Sequence, residues 1–317
     1  MRVNFLLPIV LLFLAACGAP TAPPSARATP PSPTITLELF TTHRQFRLRD
    51  LPGAGRYPIA LAMLDDRLYA LNSISQNLAV IQNDRIIKFI ALSARPNALA
   101  ADQNQKRVYI ASEDKTITLI VDDQIQLTQN IGEPSRALLF FENQLYVGLD
   151  SRNGIRVLDP ATLATRATIA IPNSFTIISL AGDELHHRVY ANAYEKISVI
   201  DATTRRVVTT FETKGSYQTL LANPRGDNVL VGIYDSQTQA QSLTAFDPIS
   251  GKPGERVQLG GDPRDAIIHT AGARAYIANA YTNDVSVIDP RAMTTIATIP
   301  VGMKPWSLAL NETARRL

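Results

Sequence analysis

Three observations predict an all-β chain, a seven-bladed β-propeller of four-stranded blades: short runs of alternating apolar and polar residues, a tyrosine returning about every forty positions, and an aspartate closing four of the third runs. The second strand of successive units reads "RLYALN", "RVYIAS", "QLYVGL", "RVYANA", "NVLVGI" and "RAYIAN". This sets Tyr69, Tyr109, Tyr146, Tyr190, Leu230 and Tyr276 in register at spacings of 40, 37, 44, 40 and 46 residues. A small four-stranded sheet buries its faces only by stacking on like neighbours, which a radial array supplies. The tyrosines are therefore expected in the core, where a flat ring suits the half-buried surface of a strand.

The third strands end in "VLDP", "VIDA", "AFDP" and "VIDP", placing Asp159, Asp201, Asp247 and Asp289 at one equivalent position. Four carboxylates in register suggest a metal or an acid/base site. Turn residues follow each of them, so the expectation is an Asx turn closing the outer hairpin, one per blade.

The N-terminus is different in kind. Arg2 precedes the apolar run "FLLPIVLLFLAA", which suits an export signal over residues 1–16. The run ends in "LAAC", which resembles the bacterial lipobox and makes Cys17 the expected lipidation site. Cys17 is the only cysteine, which excludes a disulfide framework, a thiolate zinc site and a cysteine nucleophile in the folded part. Residues 17–34 continue as "GAPTAPPSARATPPSPT" after the cysteine, a proline-rich tether able to hold the folded part up to roughly 50 Å from the lipid. Residues 35–317 are the expected propeller. The expected location is the cell envelope, anchored by lipid to the outer side of the cytoplasmic membrane or to the outer membrane.

Six units begin near Arg56, Arg95, Pro134, Asn173, Ser216 and Pro263, and a seventh begins at Lys304. Aligned on the sixth unit, Leu317 coincides with Tyr276, so the seventh stops where its second strand should begin, and a truncated sequence is expected. "LELFTTHRQFRLRDLPGAGRYP" in the N-terminal region reads as a third and fourth strand leading into the first blade. The last blade is thus expected to be split between the two ends of the chain, pairing edges that would otherwise stand open.

The repeat resembles that of the YVTN family of β-propellers, whose unit runs tyrosine-valine-x-asparagine, then a valine-isoleucine-aspartate strand end, then Gly-x-x-Pro. "YIANAYTNDVSVIDPRAMTTIATIPVGMKP" is its fullest match; Leu230 and the "YDSQTQAQS" loop depart from it. The resemblance implies the propeller fold and leaves function open, since related propellers include phosphogluconolactonase-like enzymes and, more remotely, quinoprotein and haem-containing ones. The last two would bring ligand histidines or extra domains that this sequence lacks, so no cofactor is expected.

Chemistry-bearing motifs are sparse. There is no Walker loop, dinucleotide glycine pattern, Gly-x-Ser-x-Gly or His-Glu-x-x-His. His186 and His187 are neighbours on an extended hairpin and point apart, so a shared metal is not expected. "RGD" at Arg225–Asp227 reads as turn chemistry. Net charge is only +3, with 31 basic against 28 acidic residues and no long run of one sign, which argues against nucleic acid.

The segments leading into the innermost strands should ring one mouth of the central channel, joined there by the loops between second and third strands. They give Tyr57, Arg95 with Asn97, Arg136, Phe175, Tyr217 with Gln218, Arg264 with Asp265, and Lys304 with Trp306. The loops add Asn72, Asp114, Asn153, Tyr234, Asn279 and Asn283. Cations with aromatics suit an anionic or sugar-like ligand. Arg136, Tyr217, Arg264, Asp265, Lys304 and Trp306 are the candidate binding residues. The functional expectation is a membrane-anchored binding or scaffold module for an envelope protein, a polymer or a small anionic ligand. The alternative is a lactonase-like hydrolase, with Asp265 as its one acid/base candidate.

Overall fold

The computed structural model describes residues 57–311 except 84, 152–153, 173–175, 214–215 and 236–239, and of 216–218 and 235 it describes only the backbone. Cys17, the signal segment, the tether, the N-terminal strands expected within 35–55, Asn153, Phe175 and Leu317 lie outside the described residues.

The described chain is a run of antiparallel four-stranded sheets laid down in sequence order. Blade one is β1 (Pro58–Leu64), β2 (Arg67–Asn72), β3 (Asn77–Gln82) and β4 (Arg85–Ala91). Blade two is β5 (Pro96–Asp102), β6 (Arg107–Ser112), β7 (Thr116–Val121) and β8 (Gln124–Asn130). Blade three is β9 (Ser135–Phe141), β10 (Gln144–Leu149), β11 (Ile155–Leu158) and β12 (Thr165–Ile169). Blade four is β13 (Ser179–Asp183), β14 (Arg188–Asn192), β15 (Lys196–Asp201) and β16 (Arg206–Glu212). Blade five is β17 (Ser216–Ala222), β18 (Val229–Asp235), β19 (Ala240–Phe246) and β20 (Pro253–Gln258). Blade six is β21 (Pro263–Ile268), β22 (Ala275–Asn279), β23 (Asp284–Asp289) and β24 (Thr294–Pro300).

The repeat seen in sequence is a repeat of register. Tyr69 pairs with Val80, Tyr109 with Leu119, Tyr146 with Val157, Tyr190 with Val199, Leu230 with Ala245 and Tyr276 with Val287. In each blade the third-to-fourth strand pairing slips by a bulge at or one residue past this point, as at Val80/Ile81 and Val287/Ile288. A bulge bends the strand and tightens its twist, which lets the outer half of a blade turn away from its neighbour.

All six register residues are buried. Tyr69 and Tyr109 reach out of their own blade to the outer turn of the next: Tyr69 O–H donates to Asp123 Oδ1 at 2.7 Å and Tyr109 O–H to the Pro160 carbonyl at 2.9 Å. The position two residues before the register residue makes the same reach with its polar end. Arg67 pairs with Asp123, Arg188 donates to the Pro248 carbonyl, and Asn228 to the Pro290 carbonyl. Blades one, two, four and five thus clip themselves to the following one, and the apolar clusters are shared by neighbours. Leu71 and Leu78 of blade one pack with Val108 and Ile110 of blade two, and so on to Leu230 and Leu243 of blade five with Ile277 and Ile288 of blade six.

The aspartates at the third-strand ends close turns as expected. Asp159 accepts from the Ala161 and Thr162 amides, and Asp201, Asp247 and Asp289 accept from amides two or three residues on. The Thr162 amide is the main reason the Asp159 carboxyl is held down to about 2.

The blade count differs from expectation: the described residues hold six blades, not seven. Inner strands pack in sequence, β1 on β5 through to β17 on β21. Between β21 and β1 runs the segment 304–311, in the place of a further innermost strand but making only a single bridge at Asn311. Leu308 and Leu310 cover the outward wall of blade six, formed by Tyr276, Val285 and Val287. The opposing wall of blade one carries Ala70, Ala79 and Ile81.

Candidate functional site

Backbone hydrogen bonds identify the face that holds the candidates. The loop between second and third strands bonds to the lead-in of its own blade's inner strand: Ser73 N–H to Tyr57 O, Glu113 N–H to Arg95 O, Asp150 N–H to Pro134 O and Tyr281 N–H to Gly261 O, at 2.8–3.0 Å. Lead-ins and second-to-third loops therefore share one face, and the remaining hairpins lie on the other.

The candidates do not form one even ring. Three of them, Arg264, Lys304 and Trp306, meet at the junction of blades six and one, and Asp265 lies beneath. The Arg264 guanidinium stacks over the Trp306 ring at 4.4 Å and is held by Asp262, with Nε and Nη2 at 2.8 and 2.7 Å from one carboxylate oxygen. Tyr57 packs against the same indole at 5.7 Å between centroids, tilted by 56°. Backbone geometry fixes the frame: Lys304 takes a left-handed φ of 52° and its amide donates to Asn283 Oδ1 at 2.8 Å. Among the described residues the Lys304 ammonium has no ion-pair partner, whereas Arg264 shares its charge with Asp262. A cation, a stacked guanidinium and two aromatic faces on rigid lead-ins can take a flat or anionic group with little ordering cost.

Asp265 is engaged elsewhere. Its Oδ2 accepts the Ser307 hydroxyl at 2.6 Å and the Leu308 amide at 2.8 Å, its Oδ1 accepts the Ala266 amide at 2.8 Å, and Ser307 Oγ in turn accepts the Leu61 amide at 3.1 Å. The carboxyl thus clasps blade six to the 304–311 segment and, through Ser307, to blade one. The residue keeps some exposure, but protein surrounds the carboxyl, and the lost solvent pushes its pKa up against the pull of those donors. Three donors thus converge on this one carboxyl, which acts as a structural clasp between blade six and the 304–311 segment. Asp265→Ala is expected to cost about 2–3 kcal/mol by stranding the Ser307 and Leu308 donors, with Asp265→Asn costing less because one acceptor remains. Urea melts of the two variants check this, and an alanine variant as stable as wild type would contradict the clasp.

Arg136 stands apart on blade three. It is exposed and its Nε donates to Asp150 Oδ2 at 2.6 Å, while Asp150 Oδ1 accepts the Thr176 hydroxyl at 2.6 Å. The Asp150 contact raises the Arg136 pKa, and although burial works the other way, the Thr176 and Arg136 contacts lower that of Asp150. Arg95 likewise bonds to Ser73 Oγ of blade one, at 2.8 Å. Tyr217 lies in β17 with its side chain outside the described residues. Asn72 and Asn279, expected at the mouth, are wholly buried. Each turns its amide onto its own loop, to Asn77 Oδ1 and to Asp284 Oδ1. Sequence reading missed Asp262 and Ser307, the partners that immobilise Arg264 and Asp265.

The opposite face absorbs the remaining motifs. His186 Nδ1 lies 2.8 Å from Asp183 Oδ2, whereas His187 turns to Glu142 of blade three. The Arg225-Gly226-Asp227 turn is pinned: Arg225 donates to the Ala271 carbonyl, Asp227 accepts from Asn223, and Gly226, at φ 72°, packs on His186 where a Cβ would clash.

Fold and mouth together define the chain as a β-propeller protein. No family model matches it. It is similar to Antigen Lp49 of Leptospira interrogans serogroup Icterohaemorrhagiae serovar copenhageni (strain Fiocruz L1-130), 24% identical over 180 residues. The match takes in 55% of this chain and 39% of that protein, so the chain spans about two fifths of its relative's length. Among solved structures, hydrazine synthase from Kuenenia stuttgartiensis superposes with a TM-score of 0.70 at 15% identity, over 82% of this chain and 90% of that one, a likeness of fold.

Proposed function

We propose that this protein is an exported lipoprotein of the YVTN-propeller type, anchored through Cys17, that binds an anionic or sugar-like partner at the mouth between blades six and one. The observation that carries the reading is the Arg264–Trp306–Tyr57 stack, with Lys304, which has no ion-pair partner among the described residues, two positions before Trp306. A seventh blade, with its outer strands from residues 35–55, belongs to the same reading. The walls of blades six and one that flank the 304–311 segment carry apolar side chains at the positions that other blades bury against neighbours. By register, Arg274 and Tyr276 occupy the clip positions from which Arg67, Tyr69, Tyr109 and Arg188 reach a following blade.

The test has two arms. Cys17→Ser is expected to move the protein from the membrane to the soluble fraction, because stable anchoring needs the acyl chains. Trp306, the only tryptophan, reports binding of sugar acids and sugar phosphates by its fluorescence. Arg264→Ala is expected to weaken that binding by about 1–3 kcal/mol, less at high salt. Membrane retention of Cys17→Ser would refute the anchor, and wild-type affinity in Arg264→Ala would remove this mouth as the site.

A further inference from the structure

Large apolar side chains are unevenly exposed. Tyr57, Ile74, Tyr281 and Met303 are 50, 55, 72 and 90% exposed, and all four sit on lead-ins or second-to-third loops of the mouth face, around one blade junction. The other exposed large hydrophobics among the described residues are Tyr194 on the blade-four loop of the same face, Ile87, Ile125 and Val208 on outermost strands, and Leu185 and Ile249 on the opposite face. Each is tied, directly or through a neighbour in sequence, to the same junction. Ser73, next to Ile74, bonds to the Tyr57 carbonyl; Tyr57 packs on Trp306; Tyr281 bonds to Gly261, beside the Asp262 that holds Arg264; and Met303 precedes Lys304, which bonds to Asn283.

Aromatic and aliphatic loop tips ringing Arg264 and Lys304 have the composition that partitions into the headgroup layer of a bilayer, where amphipathic rings and cations over apolar tips are favoured. The chain's path supports the same partner. Tyr57 is the first described residue, and Cys17 and the 17–34 tether precede it in the sequence. Under the anchor reading, the tether holds the face within tens of ångströms of lipid. The effective concentration is then on the order of millimolar, and a contact too weak to recruit the free protein is still occupied.

We infer that the mouth face seats on the bilayer that carries the anchor, with Tyr57, Ile74, Tyr281 and Met303 in the headgroup–acyl boundary and Arg264 and Lys304 on lipid phosphates. This rests on the lipoprotein reading and names the anionic partner of that face.

The test uses the full lipidated chain in phosphatidylcholine–phosphatidylglycerol vesicles, with plain or brominated acyl chains. Trp306 emission is expected to fall by roughly half with the brominated lipid, since insertion of about 5–10 Å brings the ring near the quencher. A Tyr281→Asp/Met303→Asp variant is expected to float with the vesicles and lose that quenching. Flotation with equal emission in both lipids overturns the docking and leaves the anchor intact. Quenching that persists in the double variant also overturns it, and failure to float overturns both readings. A Trp306 response to soluble glycerol phosphate without quenching by vesicles assigns the mouth to a free ligand instead. Self-association of the wild type without quenching, absent from the double variant, assigns the patch to a second copy.

Discussion

Tyr109→Ala is expected to destabilise the protein by about 3–5 kcal/mol, the range for removing a large aromatic from a packed core. Tyr109 is fully buried, and its cluster draws on blades two and three alike, so the cavity opens at an interface and not within one sheet. Its ring stacks on Phe140 of blade three at 6.0 Å, and its hydroxyl donates to the Pro160 carbonyl at the outer turn of that blade. Burial pushes the phenol up to about 12, which favours the neutral, donating hydroxyl. Tyr109→Phe keeps the packing and loses only the hydroxyl, an expected cost of about 1 kcal/mol. Denaturant midpoints of the two variants separate packing from hydrogen bonding; an alanine variant within 1 kcal/mol of wild type would show that the blades are not coupled through this position.

What could be read in the sequence was whatever one unit encodes locally and repeats. The tyrosine register was readable because a two-residue alternation fixes which side chains face the core, and five further units carry the same phase. The aspartate turns were readable because an Asx turn spans two or three residues. Leu230 shows that the register position also accepts a leucine, which is as buried as the tyrosines at the equivalent positions.

The binding mouth was read only in outline. Arg264, Lys304 and Trp306 were found because lead-ins occupy a fixed place in a blade. Their mutual stacking depends on residues from both ends of the described chain, with Tyr57 meeting Trp306, and no local pattern reports such a contact. The same distance hid the role of Asp265. Its carboxylate has partners 42 and 43 residues away at Ser307 and Leu308, and without them it resembles a solitary acid at a channel mouth. Asn72 and Asn279 were misplaced for the opposite reason. Their amides close loops only a few residues long, a local use that a polar residue at a loop start does not distinguish from display to a ligand.

The central proposal is that the mouth lies at a joint where residues 35–55 and the segment from Lys304 onward complete a seventh blade. Removing residues 35–55 tests it most directly. On the proposed seventh-blade reading, the outer strands beside blades six and one would be lost, leaving Leu308, Leu310 and the Asp265–Ser307–Leu61 clasp as the link across the joint. The predicted result, by scanning calorimetry, is a fall in melting temperature of about 10 °C or more, as expected for a loss exceeding that of a single core substitution. A truncated protein that melts with the full chain would contradict the closure.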